Sequence, residues 1–178
     1  MQFLSTVFLA ASALASLAAA QNTLHFVNQD STTRTIYFTA QAGLAEIPEL
    51  VIEGLGTANQ SIPENWIGNC YSVSQGAPNV PGMLAEFSFN GYAGATYFDV
   101  SAIVNPSDVD GIKMVFPLNS NAPVSGCQDF PCSNAYNKWD DIATLSSTDT
   151  EFVVLLGTLT QTRRRGLVAR VAHEFVAS

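Results

Sequence analysis

Residues 83–101 read MLAEFSFNGYAGATYFDVS, and their pattern decides the fold class. From Met83 to Phe89 every second side chain is apolar, which is typical of a strand with one face on a core. Glu86 falls on the opposite face from the phenylalanines. A second run of strand length, ATYFDV at 95–100, follows a turn that contains glycine. The stretch therefore predicts two consecutive β-strands, with Glu86 facing away from the core.

Outside this stretch the same kind of run recurs between turn residues. The further runs of strand length are 24–28, 34–39, 50–54, 66–73, 112–116 and 150–156. All eight prolines lie between Pro48 and Pro131, mainly in the connections between these runs. Helical periodicity is almost absent before residue 158, and no internal repeat is evident. Short strands with regular turn punctuation predict an all-β protein with a β-sandwich core.

The first twenty residues carry no charged side chain and end in small residues, with Ala18 and Ala20 forming an AxA cleavage site. This pattern predicts a secretory signal peptide at 1–20, and an uncleaved apolar anchor is the alternative. The rest is long enough for one core. We expect a single domain at 21–157, a C-terminal tail at 158–178, and a secreted protein that contacts no membrane after cleavage.

The charge of the chain is divided unevenly along its length. The net charge is −8, yet four of the seven basic residues are the arginines at 163, 164, 165 and 170. An acidic body repels phosphate, so the composition argues against a nucleic-acid partner and against a nuclease. We interpret the basic residues as a soluble tail, irregular or weakly helical. A surface patch, a processing site, a disordered extension and a gene-model artefact remain alternatives.

Signatures of metal or cofactor chemistry are missing from the sequence. It contains no GxSxG, HExxH, phosphate-binding or dinucleotide-binding motif. In PSDVDG, aligning Gly111 with the calcium-loop glycine places prolines where carboxylate ligands are required. His25 and His173 have no partner motif, so we expect structural or surface roles for both. The sequence predicts no cofactor and no metal site.

Three cysteines are an odd number for a secreted protein. Cys127 and Cys132 enclose a short loop with a proline, and we predict a disulfide between them. Cys70 then has no partner, and is either buried as a small apolar residue or paired between chains. Asn59 begins the sequence NQS, the acceptor pattern for N-glycosylation.

Three segments in order resemble the small secreted thaumatin-like proteins of filamentous fungi, which sometimes carry a deoxyribonuclease label. They are the run at 83–111, preceded by WIGN at 66–69 and followed by PVSGCQDFPCSNAY at 123–136. The resemblance covers about residues 24–157. It implies a small form of the thaumatin-like antiparallel β-sandwich.

The resemblance also implies an acidic groove that binds cell-wall polysaccharide, with β-glucan as the expected partner. Glu86 and Asp99 match its carboxylates, while Asp108 and Asp129 are weaker candidates. An aromatic platform such as Trp66 would complete a sugar site. Glu86 and Asp99 could alternatively act as the catalytic pair of a weak endo-β-1,3-glucanase. A further alternative is a secreted effector or antimicrobial interaction protein, and in each case we expect a monomer.

Overall fold

Eleven β-strands form two sheets in the computed structural model, which describes residues 22–108 and 110–159. The predicted signal peptide and all but the first two residues of the predicted tail lie outside the described residues. The strands are β1 (Asn22–Asn28), β2 (Arg34–Ala40), β3 (Leu50–Ile52), β4 (Thr57–Ile62), β5 (Ile67–Ser74), β6 (Leu84–Ser88), β7 (Thr96–Ser101), β8 (Ile112–Pro117), β9 (Ser125–Gly126), β10 (Leu145–Ser147) and β11 (Glu151–Leu156). The described helical structure is one 3₁₀ turn, Tyr92–Gly94.

The first sheet has the strand order β4-β1-β11-β8-β9, and the second has the order β10-β7-β6-β5-β2-β3. All eight predicted runs contain a strand. The expectation of purely antiparallel sheets is wrong, because β1 and β11 pair in parallel. These two strands lie near opposite ends of the domain, so no hairpin forces them to run antiparallel.

The core lies between the two sheets and is rich in phenylalanine. Phe152 of β11 packs edge-on against Phe87, Phe89 and Phe98 of the second sheet, with ring centroids 4.9 to 6.0 Å apart. The predicted inward face is confirmed, because every second residue from Met83 to Phe89 is buried while Glu86 faces outward. This packing fixes the direction in which the side chains of β6 and β7 point, and so positions the site described below.

The cysteine predictions are confirmed. Cys127 and Cys132 form a disulfide, and Cys70 is a free cysteine within the core. Burial raises the pKa of the Cys70 thiol far above its usual range, which keeps the sulfur protonated and unreactive. Of the two alternatives for Cys70, the structure shows the buried apolar residue.

The residues described by the structure include no helix with the length and apolar character needed to cross a membrane.

Candidate functional site

Four polar side chains form a row across the outer face of the second sheet. In register, Asp99 of β7 lies opposite Glu86 of β6, Glu86 opposite Asn69 of β5, and Asn69 opposite Thr39 of β2. Side chains directly opposite one another on a sheet share a face, so the four groups line up across it. We call these four residues the polar row.

The polar row lies within a cleft of about 520 Å³. Ile103, Tyr136 and Thr144 stand at its β7 end, where the chain between β9 and β10 runs beside β7 and Tyr136 forms a parallel bridge with Ser101. We call these three residues the wall of the cleft. Backbone hydrogen bonds fix this wall, because Tyr136 N–H donates to the Val100 carbonyl (2.9 Å) and Ala102 N–H donates to the Tyr136 carbonyl (2.7 Å). The cleft is therefore built from two separate parts of the chain.

A glycine and a buried tryptophan shape the cleft near β5. Gly68 lies in the cleft lining, and a side-chain carbon added there would collide with the Thr39 carbonyl and the Trp66 ring. Trp66 itself is 1% exposed and donates its indole N–H to the Ala45 carbonyl (3.0 Å). Trp66 therefore lies in the hydrophobic core and cannot act as the aromatic platform for a sugar, because its ring is covered by other side chains.

Asp99 is the most perturbed acid of the cleft. It is 7% exposed, and its Oδ2 atom accepts a hydrogen bond from the Thr144 hydroxyl at 3.2 Å. Its Oδ1 atom is buried and accepts no hydrogen bond. Burial first, and then the negative charge of Glu86, raise the pKa of Asp99 to about 7.

The Glu86 and Asp99 carboxyl groups lie within hydrogen-bonding reach of each other. Two such groups are most stable when they share one proton, so the pair holds a single negative charge just below pH 7 and two above it. Glycoside hydrolysis needs two carboxyl groups on either side of the sugar bond, and the catalytic alternative for Glu86 and Asp99 stays a prediction.

The other two candidate carboxylates lie outside the cleft. Asp108 closes a loop, with its Oδ2 accepting from Met83 N–H (2.8 Å) and its Oδ1 from Gly111 N–H (2.9 Å). Asp129 is an exposed residue of the cysteine loop, and its charge acts on Lys113. The structure therefore brings together Glu86 and Asp99 alone among the predicted carboxylates.

Asn59, the predicted glycosylation acceptor, lies on the edge strand β4 of the first sheet. Its Oδ1 atom is 2.9 Å from Nδ1 of His25, whose Nε2 is 2.7 Å from the Glu151 carboxylate. His25 is thereby held between two polar groups, in agreement with a structural role. The side chain of Asn59 is exposed and distant in the fold from the polar row.

Metal binding has no structural support in the described ranges, 22–108 and 110–159. They contain no group of three or more histidine, cysteine or acidic side chains placed to hold an ion. Glu86 and Asp99 alone supply too few ligands for a dedicated site.

Sequence reasoning missed the amide and hydroxyl groups of the site. Asn69 and Thr39 could have been predicted by pairing the outward-facing positions of the runs at 34–39 and 66–73 with those of the run that carries Glu86. Tyr136 ends the segment 123–136 but was assigned no role. No sequence motif surrounds Thr144. The hydroxyl groups of Tyr136 and Thr144 are 2.9 Å apart, so Tyr136, Thr144 and Asp99 form a chain of hydrogen bonds.

Comparisons with known proteins relate the chain to fungal proteins of another kind than expected. No family model matches it. The chain is 42% identical over 132 residues to the antigenic protein SchS21 of Stachybotrys chartarum, a match that covers 74% of this chain and 92% of that relative. Its fold is similar to the crystal structure of the protein elicitor MoHrip2 from Magnaporthe oryzae, with a TM-score of 0.55 and 18% identity over 77% of this chain and 99% of that one.

The predicted membership of the thaumatin-like family is wrong, since the relative and the structural neighbour are an antigenic protein and an elicitor. The motifs behind it, AEF and YFDVS, lie on the paired strands β6 and β7. Alternation between a phenylalanine core and a polar outer face produces such short motifs in any sheet of this kind. Glucan binding through a thaumatin-like groove accordingly loses its basis.

Proposed function

We propose, from the premise that this chain belongs to the family of the antigenic protein SchS21, that it is a secreted effector-type protein which another organism recognises. The observation that carries this proposal is 42% identity over 92% of that relative's length. The structural neighbour is described as a protein elicitor, which agrees with the same class. The sequence pattern of a leader at 1–20 and the disulfide in the cysteine loop both favour secretion.

The surface that we assign to recognition is the cleft around the polar row. Concave sites with a few convergent polar groups and a perturbed pKa are the usual places for ligand binding. The cleft has this character, because Asp99 combines a raised pKa with a buried oxygen that lacks a hydrogen-bond donor. The earlier expectation of a polysaccharide partner remains a prediction, and an oligosaccharide is included among the probes below.

The test is a response assay with the purified secreted protein. We expect infiltration of plant leaf tissue to produce an oxidative burst, measured by luminol luminescence, that heat-unfolded protein does not produce. The double variant Glu86→Gln with Asp99→Asn keeps the shape of the cleft and removes its charge, and its burst should fall at least about tenfold.

The matched control is Glu49→Gln with Glu64→Gln, which removes two charges from exposed positions outside the cleft. Its response should equal that of the wild-type protein. A folded wild-type protein that produces no more burst than buffer would overturn the proposed function. Equal responses from both double variants would overturn the assignment of recognition to the cleft.

A further inference from the structure

The accessible surface of the described residues is almost devoid of positive charge. Of the fifteen acidic residues in the chain, Glu174 alone lies outside the described residues. Of the three described basic residues, Arg34 and Lys113 are at most 3% exposed, which leaves Lys138 as the exposed cation of the described part. Such a surface attracts basic partners and repels acidic ones over a distance of several ångströms.

Within the cleft this charge is not neutralised. No lysine, arginine or histidine lines it, and its titratable groups are Glu86, Asp99, Tyr97 and Tyr136. Asp99 is more than nine-tenths buried, yet its Oδ1 atom has no donor. Glu86 can supply a hydrogen to the pair only while one of the two carboxyl groups stays protonated. A cationic N–H group from a ligand would compensate the charge of the pair without that proton.

Exposed apolar side chains lie in the segments that supply the β7 end of the cleft. Ile103 is 41% exposed and lies in the lining, while Trp139 and Ile142, at 86% and 96% exposed, belong to the segment between Tyr136 and Thr144. Asp141 shapes this segment by accepting hydrogen bonds from the backbone N–H groups of Asn137 (2.7 Å) and Lys138 (2.8 Å). Exposed tryptophan and isoleucine on an ordered turn are typical of surfaces that a protein partner covers.

We infer that the cleft receives a lysine or arginine side chain of a basic partner polypeptide, whose cationic group lies between Glu86 and Asp99. This inference rests on the proposed function, because it names the chemistry of the partner at the same site. The cationic N–H groups hydrogen-bond to the carboxylate oxygens that face the cleft, and the apolar stem of the side chain lies against Ile103 and the tyrosines. A neutral hydroxyl ligand would leave the pair of carboxyl charges uncompensated.

Binding of a cation is coupled to the proton that it displaces from the pair. Above pH 7 the pair holds two negative charges and attracts a cation more strongly than below it. The affinity for a cationic ligand should therefore rise from pH 6 to pH 8, whereas the affinity for a neutral ligand should not.

The experiment uses three blocked tripeptides, Ac-Ala-Lys-Ala-NH₂, its arginine counterpart and its norleucine counterpart, together with laminaritriose as a neutral sugar. Binding to the full secreted chain is followed by NMR shifts of the Glu86, Asp99 and Asn69 backbone amides. We expect the two cationic peptides to bind, with roughly tenfold higher affinity at pH 8 than at pH 6, which corresponds to one pKa unit of coupling. The norleucine peptide should bind at least about tenfold more weakly.

The Glu86→Gln, Asp99→Asn double variant should lose the cationic binding, and the Glu49→Gln, Glu64→Gln control should retain it. Equal shifts from norleucine, binding of laminaritriose in preference to the cations, or retention by the cleft variant would each overturn the inference. The two proposals fail separately. A burst that needs the cleft while the peptides show no preference for charge refutes the cation inference alone, and cationic binding without any burst refutes the proposed function alone.

Discussion

Two regions of the molecule gather carboxylates at opposite ends of β2, and they differ in what each acid faces. Near the start of β2, the Asp30 carboxylate accepts from Arg34 (2.8 Å) and from the N–H groups of Thr32 and Thr158 (both 2.9 Å). Near its end, Asp99 faces Glu86 across the sheet and has one hydrogen bond from a hydroxyl. Both carboxylate oxygens of Asp30 accept hydrogen bonds, whereas the Oδ1 atom of Asp99 accepts none.

The difference is expressed in the pKa values of the two aspartates. Burial by itself would raise the pKa of Asp30, but the hydrogen bonds from Thr32, Thr158 and Arg34 outweigh it and lower the pKa. In the cleft, burial and the Glu86 charge act in the same direction and raise the pKa of Asp99 to about 7. The Asp30 region therefore stabilises the fold, whereas Asp99 in the cleft is destabilised when it is ionised.

The largest expected effect concerns the satisfied region. Asp30→Asn removes the negative charge beside Arg34, which is 2% exposed, and leaves that guanidinium buried without its partner. Lys113, also buried, adds to the positive charge there. We expect the free energy of unfolding to fall by about 3 kcal/mol, measured by denaturant titration at pH 7.

The control for Asp30 is Glu49→Gln, which removes an exposed charge and should change the free energy of unfolding by no more than about 0.5 kcal/mol. A loss below about 1 kcal/mol for Asp30→Asn would mean that Arg34 is compensated by other groups, and the contrast between the two regions would then disappear.

A second prediction uses the opposite signs of the two pKa shifts. The pKa of Asp99 is raised on folding, so the native state holds more protons than the unfolded chain between about pH 4 and pH 7. The stability contributed by the protonated group is lost as the pH rises through 7. We expect Asp99→Asn to gain about 1 to 2 kcal/mol over the wild-type protein on going from pH 5 to pH 8.

Asp30 has the opposite dependence, because its folded pKa is lowered. Its contribution is present above the ordinary value of 3.8 and is lost as the pH falls through the folded pKa. Denaturant titrations at several pH values measure both limbs on one protein. The prediction is contradicted if the free energy of unfolding of the wild-type protein rises between pH 5 and pH 8 and Asp99→Asn shows the same slope. Folding would then not raise the pKa of Asp99.

The sequence predicts the sheet that carries the cleft but not what closes it. Alternation from Met83 to Phe89 places Glu86 on the outer face, because a phenylalanine core admits one register alone. Alternation in the next run then brings Asp99 opposite Glu86. The pair could thus be predicted from local pattern, whereas β4 was missed because its polar residues occupy a sheet edge.

The wall of the cleft and the Asp30 region escape prediction for a different reason. Thr144 reaches Asp99 across 45 positions of sequence, and Thr158 reaches Asp30 across 128. No local propensity specifies such contacts, since they follow from the packing of loops on completed sheets. Arg34 and Lys113 are buried for the same reason, although basic residues are ordinarily exposed.

The smallest expected effect tests the Thr144 hydroxyl, which donates a hydrogen bond to the Asp99 carboxylate. In the wild-type protein the Thr144 hydroxyl donates to Oδ2 of Asp99, and this hydrogen bond lowers the pKa of the carboxyl group. Thr144→Val keeps the shape of the side chain and removes that hydrogen bond. We expect the pKa of Asp99 to rise further above 7, followed by NMR titration of its side-chain carbon. The free energy of unfolding should fall by about 1 kcal/mol at pH 8, where the carboxylate loses its donor.

Thr148→Val is the matched control, since Thr148 is exposed in the connection between β10 and β11. It should leave the Asp99 titration unchanged. If Thr144→Val instead lowered the pKa of Asp99, another donor would have to hydrogen-bond to the Oδ2 atom. The cleft itself would then supply the donors that this carboxylate needs. In that case the Asp99 carboxyl would need no partner, and the distinction between the two carboxylate regions would be one of degree rather than of kind.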